Sequence, residues 1–411
     1  MILPCRIHRT CRLIDSLPLA FLFAAFLLVP QNEAIGQYAT GSTAGAAGGA
    51  TVPLDITAGV DIGFDDHILG SSTTTSSSGQ SSFFARENLV LSYDRPMERT
   101  VLHLIAVGRF DQFFDLGTDD KDGNVTLSLT HNFSTRLSFR ANVYAAYQTE
   151  PNFQTNVGPE NVRAPHFDTN DIFSVTYHWL PRFSVVTSYT LHRVQYESSS
   201  VGTSQNRVES TIGEQFQFSL TSRTNLVGEY RFQTIDYETA PNNSITHYTL
   251  IGVNHHLTEH LSFDARGGPS FRSLENDGDT VNPYFEGRLQ YLSSNHSLSW
   301  NTSYGFESPN AASATNRTTI RTGLNLTYDL TSRVHSTAGF YYHHDENEGT
   351  TSSGPSSAGT QNSLQLSLSL HYTINKRLSL HVDYQHTMQS SMGSTQGYSR
   401  NRYSAGLSYT Y

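Results

Sequence analysis

The sequence predicts an all-β protein, a transmembrane antiparallel β-barrel of about 18 strands with short periplasmic turns and long extracellular loops. Three observations predict it. Apolar and polar residues alternate with a period of two in stretch after stretch. In "LSLHYTINKRLSLHV" (368–382), Leu368, Leu370, Tyr372, Ile374, Leu378, Leu380 and Val382 take one face, and Ser369, His371, Thr373, Ser379 and His381 the other. The composition is polar on average but rich in rings. Only 37% of residues are hydrophobic and the mean hydropathy is negative, yet there are 22 Tyr and 23 Phe. A soluble chain of 411 residues needs a thicker apolar core, and disordered chains lack aromatics. A sheet apolar on one face satisfies both. Finally, a unit of roughly 40 residues recurs, each with one short polar turn and one long polar connection.

The elements follow in order. Residues 1–36 read as a signal peptide: Arg6, Arg9 and Arg12, then the apolar run "LPLAFLFAAFLLV" (17–29), then small residues at "AIG" (34–36). A membrane anchor is the alternative for a run this short. Cys5 and Cys11, the two cysteines of the chain, fall in this segment, so the remainder would hold no disulfide. The segment carries three arginines against Asp15 and Glu33, which takes the formal charge from −10 to −11 for the rest. That balance excludes nucleic acid as a partner. Residues 37–52 are a flexible Gly/Ala-rich N-terminal segment, and 53–411 form the barrel.

Eight short turns align: "DRPMER" (94–99), "STR" (134–136), "PR" (181–182), "TSRT" (221–224), "TEH" (258–260), "SSNH" (293–296), "TSR" (331–333) and "NKR" (375–377). Nine long connections lie near 67–81, 114–124, 148–171, 195–208, 233–246, 272–283, 305–317, 342–361 and 387–400. Seventeen connections imply eighteen strands, from about 54–66 to about 401–411. An even number puts both ends at the short-turn side. Strand lengths match the roughly 9–11 residues that cross a bilayer with tilt. Backbone groups cannot stay unpaired in hydrocarbon, so the sheet must close.

One ring recurs near the lower end of each descending strand: Tyr93, His131, Tyr177, Phe218, His255, Tyr291, Tyr328, Tyr372 and Tyr409. Amphipathic rings at one depth are what a membrane–water interface selects. The chain ends in alternation, with Tyr403, Leu407, Tyr409 and a terminal Tyr411. This ending resembles the assembly signal of bacterial outer-membrane proteins and implies the barrel-assembly machinery as a partner. The eighteen-strand layout, the hairpins with a basic residue after the turn and the terminal Tyr together resemble the beta-barrel porin 2 group, over residues 53–411. The resemblance implies a transport barrel in the bacterial outer membrane and brings no catalytic residues.

The polar face then lines a lumen. Its candidate residues are Arg109, Arg140, Glu229, Arg231, Asp264, Arg266, Glu286, Arg288, Arg321 and Asp383. Mixed charge of this kind fits a wet, charge-paired wall. The longest connection, 148–171, is the candidate constriction loop, with Glu150, Glu160, Asp168 and Asp171 facing Arg163. A surface loop is the alternative. In "YYHHDE" (341–346) adjacent histidines point to opposite faces, so no metal is predicted, and no cofactor or catalytic site either. Glu214 breaks the apolar face of its strand. A bulge near Gly213, a subunit interface in a homo-oligomer, or bare exposure would each account for it.

The expected function is a channel for passive diffusion of small hydrophilic solutes, in contact with outer-membrane lipid. Alternatives are an exopolysaccharide-export barrel and a structural or adhesive barrel without transport.

Overall fold

The computed structural model describes residues 53–68, 80–153, 157, 163–240, 242–275, 278–309, 314–348, 359–390 and 397–411. The segments read as signal peptide and flexible lead-in, and Glu160, lie outside the described residues.

The strands are β1 (Leu54–Ile68), β2 (Gln80–Pro96), β3 (Thr100–Phe113), β4 (Thr118–Asn132), β5 (Leu137–Gln148) and β6 (His166–Leu180). Then come β7 (Phe183–Tyr196), β8 (Arg207–Thr221), β9 (Thr224–Tyr237), β10 (Ser244–His256), β11 (Leu261–Leu274) and β12 (Gly278–Leu292). The last six are β13 (His296–Glu307), β14 (Asn316–Asp329), β15 (Val334–Glu348), β16 (Gly359–Thr373), β17 (Leu378–Gln389) and β18 (Tyr398–Thr410). One short helix, α1 (Ser199–Gln205), joins β7 to β8.

Each strand pairs antiparallel with its neighbours in sequence, and β18 returns to β1, from Thr57↔Thr410 to Asp65↔Arg402. The Tyr411 N–H donates to Ile56 O at 2.8 Å beyond the last strand. Closure leaves no edge whose N–H and C=O groups would face lipid unpaired. Among the described residues no helix is long and apolar enough to cross a membrane.

Four of the short turns are closed by a side chain of their own. Ser134, Thr258, Thr331 and Asn375 each accept backbone N–H bonds from the residues two and three positions on, at 2.9–3.2 Å. The side chain thus closes the turn. The residue two on (Arg136, His260, Arg333, Arg377) is exposed, and Arg377 donates to the Tyr409 hydroxyl at 3.2 Å.

At the other end two expected long loops are short. The connections at 114–117 and 275–277 replace those placed at 114–124 and 272–283. Gly117 (φ +60°) and Gly278 (φ +76°) supply the left-handed backbone that tight turns need. "TDDKDGN" (118–124) is strand despite polarity on both faces, because above the membrane neither face needs to be apolar.

The outer face carries the exposed apolar side chains, among them Ile251, Ile62 and Val281 at 77%, 70% and 63% exposure. The nine rings near the lower strand ends lie on this face. Two of the histidines share one device. His131 Nδ1 meets Thr100 Oγ1 at 2.7 Å and His255 Nδ1 meets Thr224 Oγ1 at 2.9 Å, each Thr directly across the ladder. Register through Gly213 is unbroken on both sides of β8, so there is no bulge there. Glu214 stays on the outer face, where Thr187 Oγ1 donates to its Oε2 at 2.8 Å. Glu87, opposite Val60 and Phe110, is a second outward acid.

Candidate functional site

Turning the apolar alternation outward forces the polar alternation inward, and the inner wall is a mesh of ion pairs. On β9, β11 and β12 four charges close a neutral ring. Arg231 pairs with Glu286 at 2.7 Å and with Glu229; Arg266 pairs with Glu229 at 2.7 Å and Glu286 at 3.3 Å. Tyr284 donates to Glu286 at 2.6 Å, and Gln215 to Glu229 at 3.2 Å. Asp264 and Arg288 face each other across β11 and β12, and Arg288 Nε also donates to Asn301 at 3.0 Å. Arg321 pairs with Glu307 at 2.8 Å. Arg140 is exposed on the inner face opposite Thr130 and Ser174. Arg109 stands opposite Asn88 and Asp122.

A denser cluster spans the closure of the sheet. Arg86 grips Asp111 with two bonds, at 2.6 and 2.8 Å, and Arg402 reaches the same carboxylate at 2.5 Å. Arg400 holds Asp65 through Nε and Nη2, at 2.5–3.0 Å. Asp61 accepts from Asn88 at 3.3 Å and from His381 at 2.6 Å. Phe84, fully buried, lies under Arg402 at 4.5 Å and Arg86 at 5.3 Å, a stacking that favours planar guanidinium.

The connection after β5 folds inward over this cluster. Glu150 accepts from Arg400 at 2.8 and 3.0 Å. Burial works to raise the Glu150 pKa, but the guanidiniums of Arg400, Arg402 and Arg163 outweigh it and hold it down at about 2. Phe153 packs on Tyr398 of β18. Further along, Val157 and Ala164 pack on Val194 and Tyr196 of β7. Asn152 and Val157 exchange two backbone bonds (2.8 and 3.2 Å), and Arg163 pairs with Asp120 of β4. β7 and β18 stand seven strands apart round the ring of eighteen. The connection is therefore tied to well-separated parts of the inner wall.

Two residues assigned to that loop behave otherwise. Asp168, with Asp171, belongs to β6, and Asp168 accepts from His192 at 3.0 Å instead of facing Arg163. The strand begins early because the backbone keeps pairing above the membrane. A second connection also reaches inward: Ser308, just after β13, donates to Glu209 of β8 at 2.6 Å, and Asn242 donates to Ala314 O at 3.3 Å.

Residues 256–410 match the family described as outer membrane protein beta-barrel domain. That match covers β11–β18, eight of the eighteen strands of a closed barrel whose outer face is apolar. The chain is an outer-membrane barrel. No curated protein matches it in sequence. Solved structures similar to the outer-membrane barrel include the outer membrane protein opdK from Pseudomonas aeruginosa, at 10% identity and TM-score 0.41, covering 87% of this chain and 99% of that one. OccK2 (OpdF) from Pseudomonas aeruginosa, solved with glucuronate, is 10% identical at TM-score 0.43, covering 87% and 98%. The siderophore receptor PirA from Pseudomonas aeruginosa is 10% identical at 0.39, covering 88% and 80%.

Several residues central to the outer-membrane barrel's inner wall escape a reading by pattern. Arg400 and Asp120 sit in polar stretches without alternation, and Asp65 stands at the very end of its alternating run. Phe84 and Phe113 left a usable trace, since each places a ring on a face otherwise polar.

Proposed function

We propose that this barrel is a channel for small hydrophilic solutes, in the manner of the porin group it resembles, and that the connection 149–165 narrows it. The observation that carries the reading is the inward tether of that connection, from the Glu150–Arg400 pair on β18 to the Val157 contact on β7. An eighteen-stranded sheet encloses more width than side chains alone fill. A connection tied across it reduces the aperture without sealing the wall. The mesh of paired charges suits this role, because hydrated solutes can exchange water for wall groups without meeting a single large field.

The lower ring of aromatics would then anchor the barrel at the headgroup level. Tyr403, Leu407, Tyr409 and Tyr411 would present the last strand to the assembly machinery.

Planar-bilayer recording tests the channel. Refolded protein should give discrete conductance steps, and removing residues 150–163 should enlarge each step. Bilayers that stay silent with both proteins would overturn it and favour an adhesive or structural barrel.

A further inference from the structure

At the periplasmic mouth three imidazoles stand side by side on the inner wall. His335 on β15 is the direct cross-strand partner of His371 on β16, and His371 is that of His381 on β17. The His371 and His381 rings lie 28° from parallel with centroids 5.5 Å apart. Solute passage has no evident need of such a row.

The surrounding hydrogen bonds determine which ring nitrogens carry protons. An ionised carboxylate only accepts. Asp61 Oδ1 lies 2.6 Å from His381 Nε2, so Nε2 holds the hydrogen and the neutral ring keeps its lone pair on Nδ1. Ser369 donates its hydroxyl to Asp383, which leaves Oγ able only to accept. At 3.1 Å from His371 Nε2 it therefore accepts Nε2–H, and His371 too keeps its lone pair on Nδ1. Both Nδ1 atoms are buried and unpartnered among the described residues. Two lone pairs on adjacent strands thus lack any donor. A carboxylate or relay fixing one nitrogen while the other stays free is the arrangement that orients metal-binding histidines. His335 follows the same rule: its Nδ1 meets Asp329 Oδ1 at 2.6 Å.

We infer that His371 and His381 bind a transition-metal ion of the zinc, nickel or copper class through their Nδ1 atoms. Directly paired residues on adjacent strands have Cβ atoms about 4.5–5.5 Å apart. Two imidazole nitrogens each about 2.0–2.1 Å from one ion span at most about 4 Å. At that cross-strand spacing both nitrogens come within reach of one ion once the rings turn about their side-chain bonds. Among the described residues no three His, Cys, Asp or Glu side chains converge on a metal position. The described residues therefore supply two ligands, and the ring turn that presents the buried Nδ1 atoms to the ion also opens them to the lumen water that completes the shell, which makes the site exchangeable. Arg86, the cation that acts on His381 from β2, is itself held by Asp111. The absence of a metal expected from 341–346 concerned different residues: His343 and His344 do face opposite sides of β15.

The test uses the full-length barrel refolded in detergent and nickel chloride as the probe. Calorimetric titration should show one saturable Ni²⁺ site per barrel. His371→Ala and His381→Ala should each weaken it at least tenfold, and Asp61→Asn, which removes the orienting carboxylate, by about tenfold. His343→Ala, on the inner wall near the opposite end, should leave it unchanged. Protection of His371 and His381 from diethyl pyrocarbonate by Ni²⁺ reads the same site in the unaltered protein. No saturable Ni²⁺ binding, or binding unchanged in the His371→Ala, His381→Ala double variant, overturns the inference. Because calorimetry does not depend on conductance, its outcome is separate from that of the channel reading.

Discussion

Glu150 and Arg400 are joined by two hydrogen bonds, at 2.8 and 3.0 Å, across 250 positions of sequence. The pair ties a connection to the far side of the sheet closure. Its strength depends on the carboxylate being charged, and the three guanidiniums around Glu150 hold its pKa down at about 2 against an ordinary 4.5. A lowered folded-state pKa contributes stability that is complete above the ordinary carboxylate range and disappears as pH falls through the folded value. The conductance should therefore stay level from pH 8 to pH 5 and rise only as the pH approaches 3 and below. Glu150→Gln should show the larger conductance already at pH 7. Single-channel records over that pH range check both statements. A rise centred near pH 4.5 in the unaltered protein would sink the tether.

The lumen's neutral ring makes a prediction about selectivity. Arg231 and Arg266 are balanced by Glu229 and Glu286. Replacing both acids by Gln leaves two guanidiniums uncompensated at partly buried positions, where charge is weakly screened. Reversal potentials in a potassium chloride gradient should shift toward anion preference. The double variant Arg231→Gln, Arg266→Gln should shift the opposite way. No change in either would show that the current bypasses this wall.

How much of this was legible in sequence follows from where the membrane acts. Inside the bilayer the strands follow one rule, apolar out and polar in, broken at Glu87 and Glu214, so the strand number, the eight turns and the outward rings could be read from alternation. The turn residues were readable too, since Ser134, Thr258, Thr331 and Asn375 close their turns by local bonds. Above the membrane the rule lapses. β4 and β12 continue through "TDDKDGN" and "GDTVNP", where neither face is continuously apolar, and alternation alone reads both as loop. Contacts such as Glu150–Arg400 or Ser308–Glu209 leave no periodic trace, because each is set by the three-dimensional course of one connection.

Sidedness has a direct check. Lys376 lies in a short turn and Thr203, exposed, in the connection that carries α1. In whole cells a membrane-impermeant maleimide should label Thr203→Cys and leave Lys376→Cys unlabelled until the outer membrane is broken. The reverse pattern would invert the barrel.

The final strand should matter for assembly more than its size suggests. Tyr411 is 84% exposed, and its N–H closes the sheet on Ile56 O at 2.8 Å. Deleting Tyr411 removes that closing bond and the terminal ring together, whereas Tyr411→Phe keeps both. Membrane yield should fall for the deletion and hold for Tyr411→Phe. Equal yields for all three chains would show that neither feature guides insertion.

Glu214 presents the sharpest conflict between local chemistry and place. It stands four residues above Phe218 on the outer face of β8, roughly 10 Å up a band about 25 Å tall, for a strand rising about 3.3 Å per residue with a tilt near 40°. With no bulge to return it to the lumen, its neighbours are Thr187, which donates to it, and Tyr230 across the ladder. A single neutral donor compensates little for removing an acid from water. Glu214→Leu in an isolated barrel should therefore raise the unfolding temperature, and the same reasoning extends to Glu87→Leu. Heat-modifiable gel mobility measures this directly, and a native gel of the same samples reports assembly size. If Glu214→Leu instead lowers the transition and shifts the native band to a smaller species, the acid is paired across an interface between copies and lipid is not its surroundings. A lower transition at constant size would contradict the outward placement itself, because no lipid-facing acid stabilises the strand that exposes it.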